Sequence, residues 1–167
     1  AELCKELSPK ETIFKRTCGL PLDPYFSGTK INWILKNNTN AIEAYKNNDL
    51  LFGNIDTFLL YKLTAGSSHK TDVTNASRTL LMDLKTFSWS SELLNILEVP
   101  TDILPEICDS SSNFGTTQGL GFLPDGIPIT GMIGDQQAAL FGQAGFSLGD
   151  SKCTYGTGAF MLTNTGK

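Results

Sequence analysis

The sequence predicts an α/β protein, and three observations carry that expectation. Several stretches place apolar residues at helical spacing, as in TKINWILK, NIDTFLLYKL and SELLNILEV. Others are short runs of strand character, at residues 79–83, at 128–133 and in the closing KCTYGTGAFMLTNTG. Glycine- and proline-rich loops separate the two kinds. Helices and strands mixed in this way belong to the α/β class.

The elements follow in order. Leu3 and Leu7 share a face of an opening helix that Pro9 breaks. It reads as the tail of a longer helix, and so as the edge of a fragment. Residues 17–28, TCGLPLDPYFSG, form an ordered irregular loop whose presented side chains are Asp23 and Tyr25. Ile31, Ile34 and Leu35 mark a helix over 29–36, and a polar break at 37–40 separates it from a short helix over 41–46. Ile55, Phe58, Leu59, Lys62 and Leu63 predict an amphipathic helix closed by Gly66. Residues 71–77 are rich in capping side chains and suit a tight turn or a single helical turn. A strand at 79–83 and a turn at 85–88 precede a helix that Ser90 or Ser91 caps and that stops before Pro100. An apolar turn at 103–105, a hairpin-like stretch over 115–126 and a buried strand at 128–133 complete this part. From Gly145 the pattern shifts to short β segments, so a domain boundary is expected there, dividing 1–144 from 145–167. The chain stops within expected structure, so its C-terminus also reads as truncated.

Composition narrows the function classes. The 167 residues are 40% hydrophobic and 18% charged, enough for one ordinary domain, or a piece of a larger one, with a real core. Net charge is −4 and basic residues are scattered, which argues against a nucleic-acid surface. No apolar run approaches the ~20 residues of a membrane span, and the charged N-terminus is no signal peptide. Cys4, Cys18, Cys108 and Cys153 form no CxxC pair, so reduced thiols in a cytosolic protein are the simplest account, with no metal site. Two glycosylation sequons, at Asn37 and Asn75, are of a kind common by chance.

Chemistry concentrates in residues 128–158. Asp135 stands between an expected strand and the helix QQAALFGQ. Capping is the commoner use of such an aspartate. A carboxylate where ligands settle at strand ends in α/β folds can also take a proton from a substrate hydroxyl. The two uses are compatible. Gln136 can hydrogen-bond a polyol, or stand solvated in the first helical turn. Thr157 lies between Gly156 and Gly158, which let backbone N–H groups approach an anion, although a plain hairpin turn is the simpler reading. No Walker A loop is present. His69 reads as a surface histidine, and Asp72, Asn75 and Arg78 as a polar knot that organises a turn. Trp33, Trp89 and the phenylalanines are expected in the core.

The runs GMIGDQQAALFGQ and TYGTGAFMLTNTG resemble the FGGY family of carbohydrate kinases. TCGLPLDPYFSGTKINWIL, LLFGNIDTFLLYKLTAG and TDVTNASRTLLMDLKTFSW extend the resemblance over the whole chain in the same order. Tyr25, Ser27, Lys30 and Trp33 match a family signature, and TNASRT with GDQQAALFGQ points to members that phosphorylate glycerol. The resemblance implies an actin/hexokinase-like, ribonuclease H-like ATPase fold, with this chain forming the later part of the first domain and the first strands of the second. It implies Asp135 as catalytic base and glycerol ligand, Gln136 and Tyr25 as further glycerol contacts, and Thr157 with Gly156 and Gly158 at the nucleotide phosphates. Mg-ATP and glycerol would be the substrates of a cytoplasmic full-length enzyme that is a homo-oligomer. Three family features are missing: the DxGTT phosphate loop, the Arg-Glu pair of the glycerol site, and the adenine-binding half with the C-terminal signature. The chain alone is therefore expected to be inactive. No arginine precedes Ile127-Pro-Ile129, so fructose-bisphosphate regulation is not expected. A pentulose kinase of the same family, and a degenerate homologue that binds a polyol or protein partner, are the alternative readings.

Overall fold

The computed structural model describes residues 1–166 of the chain. It divides into two compact units, Ala1–Met132 and Ile133–Lys167, and the boundary expected at Gly145 lies inside the second.

In the first unit, helix α1 (Glu2–Glu6) passes through a single 3-10 turn at Ser8–Lys10 into α2 (Glu11–Cys18). Thr17 and Cys18, expected in the irregular loop, belong to α2. Phe14, Thr17 and Cys18 are buried on one face about a turn apart, and this stripe of three residues carries the short helix. Gly19 ends it in the left-handed region, at φ +70.

Helix α3 (Ser27–Asn37) buries Gly28, Thr29, Ile31 and Asn32; of the expected Ile31, Ile34 and Leu35 face, Ile31 is buried, Leu35 packs half-buried against the core and Ile34 is exposed. Trp33, expected in the core, is 62% exposed. The reason is Gly28, whose N–H donates to the Thr79 carbonyl at 2.8 Å and brings that face of α3 against the buried Leu80–Leu81 segment. Asn32 is satisfied there because its Nδ2 donates to the carbonyl of Leu97 at 2.8 Å. Helix α4 (Thr39–Lys46) starts two residues before the expected 41–46, inside the polar break, with Asn38 Oδ1 accepting from the N–H of Ala41 at 3.1 Å.

Helix α5 (Ile55–Leu63) has the expected bounds and a different inner face. Thr57 and Leu60 are buried, while Ile55, Phe58 and Leu59 are exposed. Strand β1 (Lys70–Asp72) leads straight into the one-turn helix α6 (Val73–Ala76). Of the strand expected at 79–83, only β2 (Met82–Asp83) forms, paired antiparallel with β3 (Ser88–Trp89). Leu80 sits at φ +67, which prevents an extended run through it, and is fully buried there. Helix α7 (Ser91–Leu97) is capped by Ser90, whose Oγ accepts from the N–H of Leu93 at 3.3 Å. Leu93, Leu94 and Leu97 of α7 join Phe14, Phe26 and Ile31 in the main core.

After a 3-10 turn at Thr101–Ile103, β4 (Glu106–Cys108) returns to pair in parallel with β1, Thr71 opposite Ile107. Strand β5 (Ser111–Thr116) pairs antiparallel with β6 (Pro128–Gly131), with a register shift between Ser111 and Gly115. The strand expected to be buried at 128–133 is thus shorter and lies mostly exposed. A two-stranded ribbon covers only one edge of β6, so its apolar residues signal strand formation without full burial.

The second unit is helix α8 (Asp135–Gly142) packed against both strands of an antiparallel hairpin, β7 (Ser151–Tyr155) and β8 (Ala159–Thr163). Among the described residues, no helix is long and apolar enough to cross a membrane.

Candidate functional site

Asp135 is the first residue of α8, and Gly134 before it takes the extended cap conformation. The capping role expected of Asp135 is therefore displaced by one residue. Having entered the helix, Asp135 leaves the cap position, from which a carboxylate reaches an amide two or three residues on. Instead Oδ1 accepts from the neighbouring N–H of Gln136 at 2.8 Å, and Oδ2 from Gln136 Nε2 at 3.4 Å. The carboxylate is exposed, and the positive end of α8 favours its negative charge. It makes no ion pair among the described residues.

Gln136 is held from the other side by Lys152. The lysine Nζ donates to Gln136 Oε1 and to Thr154 Oγ1, the latter at 2.6 Å. Lys152 is 4% exposed, the one buried residue among those described in its unit. The sequence reading passed over it. The signal was the period of two in β7, which places Lys152 and Thr154 on one face of the strand.

Thr157 sits at the tip of the hairpin, where Tyr155 and Ala159 form the last pair. The turn closes through the N–H of Gly156, which donates to the Gly158 carbonyl at 2.9 Å. That amide is consequently spent within the hairpin and is not open to an anion. Thr157 is exposed and has no hydrogen-bond partner among the described residues. The simpler reading of this motif, a hairpin turn, describes its backbone, and the turn presents Thr157.

Tyr25 belongs to the first unit. It stands in the loop before α3, where Asp23 Oδ1 accepts its N–H at 2.7 Å. Asp23 thus shapes the loop rather than facing a ligand with that oxygen. The Tyr25 ring is 66% exposed, meets Phe26 edge-on with centroids 5.3 Å apart, and has Lys30 Nζ 5.8 Å from its centroid. Lys30 and Trp33 also line a cleft of about 690 Å³ beside α1.

The remaining candidates are structural. His69 is half-buried rather than a free surface residue, because its Nε2 meets the Phe52 carbonyl at 2.7 Å. A carbonyl only accepts, so Nε2 carries the proton. Asp72 does organise its turn, accepting from Thr74 and Asn75 through both backbone and side chain. Arg78 leaves that knot and lies over the Phe26 ring instead, 5.0 Å from its centroid. Burial pushes the Asp56 carboxyl pKa up, against the Thr71 hydroxyl that donates to its Oδ2 at 2.6 Å, and the nearby Asp72 charge adds to the rise. All four cysteines are free thiols, and burial raises the Cys18 thiol pKa. No group of three or more His, Cys, Asp or Glu able to hold a metal lies among the described residues.

The FGGY family of carbohydrate kinases, N-terminal domain, matches residues 1–142. A glycerol kinase of Bdellovibrio bacteriovorus is 62% identical over 99% of this chain and 34% of its own length. The structure of a Plasmodium falciparum glycerol kinase with ADP is similar at a TM-score of 0.90 and 44% identity, over 99% of this chain and 33% of that one. A xylulose kinase from Rhodospirillum rubrum has 18% identity and a TM-score of 0.78, over 96% of this chain and 33% of that one, and so shares the fold alone. That common fold is α/β and actin/hexokinase-like. The chain spans about a third of the length of the curated relatives it matches.

Proposed function

Because this chain belongs to the FGGY family of carbohydrate kinases, we propose that it is part of an enzyme that transfers the γ-phosphoryl group of ATP to a primary hydroxyl of glycerol. One observation carries the reading: an exposed carboxylate, Asp135, at the head of α8 has Gln136 alongside it and the Thr157 turn in the same compact unit. The 62% identity to a glycerol kinase supports glycerol as acceptor.

In the proposed step the glycerol oxygen forms a bond to the γ-phosphorus while the bond from that phosphorus to the bridging oxygen breaks and ADP leaves. Asp135 accepts the hydroxyl proton as the bond forms. Gln136 and Tyr25 hold the polyol, and the Thr157 hydroxyl, with the Gly158 side of the turn, contacts nucleotide phosphates. Gly156 contributes turn geometry, since its N–H is already bonded. Magnesium bound with the ATP would offset the charge that develops on its phosphates. The same reading assigns 1–144 to the polyol-binding domain and 145–167 to the start of the nucleotide domain, in a cytoplasmic homo-oligomer.

The test is ADP release by the complete protein against glycerol and a panel of pentuloses. Glycerol-dependent turnover is expected, falling at least about 100-fold in Asp135→Asn with nucleotide binding retained. Near-parental turnover in that variant would remove Asp135 as the base, and preference for a pentulose would reassign the substrate.

A further inference from the structure

We propose that Lys152 is a positioning residue that fixes which end of the Gln136 amide faces the substrate. This rests on the reading of Asp135 and Gln136 as the polyol site.

A glutamine amide has an accepting and a donating end, and the two are interchangeable by a half-turn. Lys152 removes that freedom. An ammonium has three donors and no acceptor, so the group facing it must be the Gln136 oxygen. The opposite end, Nε2, is then aimed at Asp135 Oδ2. Asp135 only accepts when ionised, and Gln136 Nε2 only donates. Nε2 carries a second N–H, so a group that bridges it and Asp135 has to accept from the amide and donate to the carboxylate. A hydroxyl does both, whereas an ammonium or a carboxylate does one. Lys152 thereby makes the Asp135–Gln136 pair selective for hydroxyls and lines up the proton toward Asp135.

The burial of Lys152 supports the assignment. Lysine is rarely buried without a paired carboxylate. Here Lys152 as a whole residue is 4% exposed, and the bonded partners of its ammonium are the neutral Gln136 and Thr154. It makes no ion pair among the described residues. Packing alone would not call for a cation at this strand position, while orienting an amide requires a donor with no accepting lone pair.

The experiment is a double-mutant cycle on the complete enzyme. Lys152→Met is expected to raise the glycerol KM about tenfold while the ATP KM stays within about twofold, and Lys152→Arg to recover part of the loss. Gln136→Ala is expected to raise the glycerol KM comparably, and the double variant to be no worse than Gln136→Ala within about threefold. Effects that multiply, or a parental KM in Lys152→Met, would overturn the proposal. If Lys152→Met does not fold, Gln136→Glu decides: it keeps an acceptor for the ammonium and loses the donor, so the glycerol KM is expected to rise about tenfold with melting temperature retained. An unchanged KM there refutes the idea. Should the parent phosphorylate no glycerol, the functional reading fails separately. The clamp itself is then read from the Gln136 side-chain amide by NMR: slowed hydrogen exchange in the parent supports it, and solvent-like exchange overturns it.

Discussion

The hydroxyl of Ser110 donates to Asp72 Oδ2 at 2.6 Å, joining two segments 38 residues apart in sequence. Asp72 is fully buried, and Ser110 is its fifth donor after the backbone and side chains of Thr74 and Asn75. Removing the carboxylate takes this acceptor from all five. Asp72→Ala is therefore expected to cost about 3 kcal/mol, and Ser110→Ala about 1 kcal/mol, in urea unfolding of the complete protein. A cost for Asp72→Ala no larger than that for Ser110→Ala would show that the cage contributes little.

Asp56 behaves in the opposite sense. Its Oδ1 is buried with no hydrogen-bond partner among the described residues, and desolvation raises its pKa. A carboxyl whose folded pKa is raised holds its proton more tightly when folded. Its contribution to stability is present below the unfolded pKa and is lost as pH rises through the folded one. Asp56→Asn is expected to match the parent at pH 7 or exceed it by up to about 1 kcal/mol, with the gap closing as pH falls toward 4. Melting curves across that range check it, and a clear loss at pH 7 would contradict it.

Two glycines make a matched pair. A Cβ on Gly28 would lie 2.7 Å from Leu97 Cδ1 and 2.9 Å from the Thr79 carbonyl oxygen, whereas one on Gly142 meets nothing within 4 Å. Gly28→Ala should destabilise by about 2 kcal/mol, since a backbone atom cannot move aside as a side chain can. Gly142→Ala should be neutral or stabilise by about 0.5 kcal/mol, as expected for alanine in a helix. Thermal denaturation of both variants ranks them, and the reverse order would contradict the packing described for α3.

Elements whose signals are local were legible from the residues. Ser90, read with Ser91 as a cap, marks a helix start by its own side chain, and that cap forms. What escaped depends on distant partners. The inner face of α5 is Thr57 and Leu60, and hydropathy points to Phe58 and Leu59 instead. Trp33 looks like core until Gly28 turns α3 the other way. Leu80 breaks an apparent strand because its backbone lies in the left-handed region. At the candidate site, Asp135 and Gln136 were visible from their place at the head of a helix. Lys152 was not, because a lysine in an alternating strand ordinarily points to solvent, and only α8 packed on the hairpin puts it inside.

The bond from Asn32 Nδ2 to the Leu97 carbonyl ties the C-terminal end of α7 to the middle of α3. A helix end normally frays first because its last carbonyls lack partners. Here the final turn of α7 can open only by also stranding a buried amide in α3. The two helices should accordingly unlock as one event. In native-state hydrogen exchange their buried amides are expected to share a single opening free energy, and Asn32→Ala should split it, lowering α7 before α3.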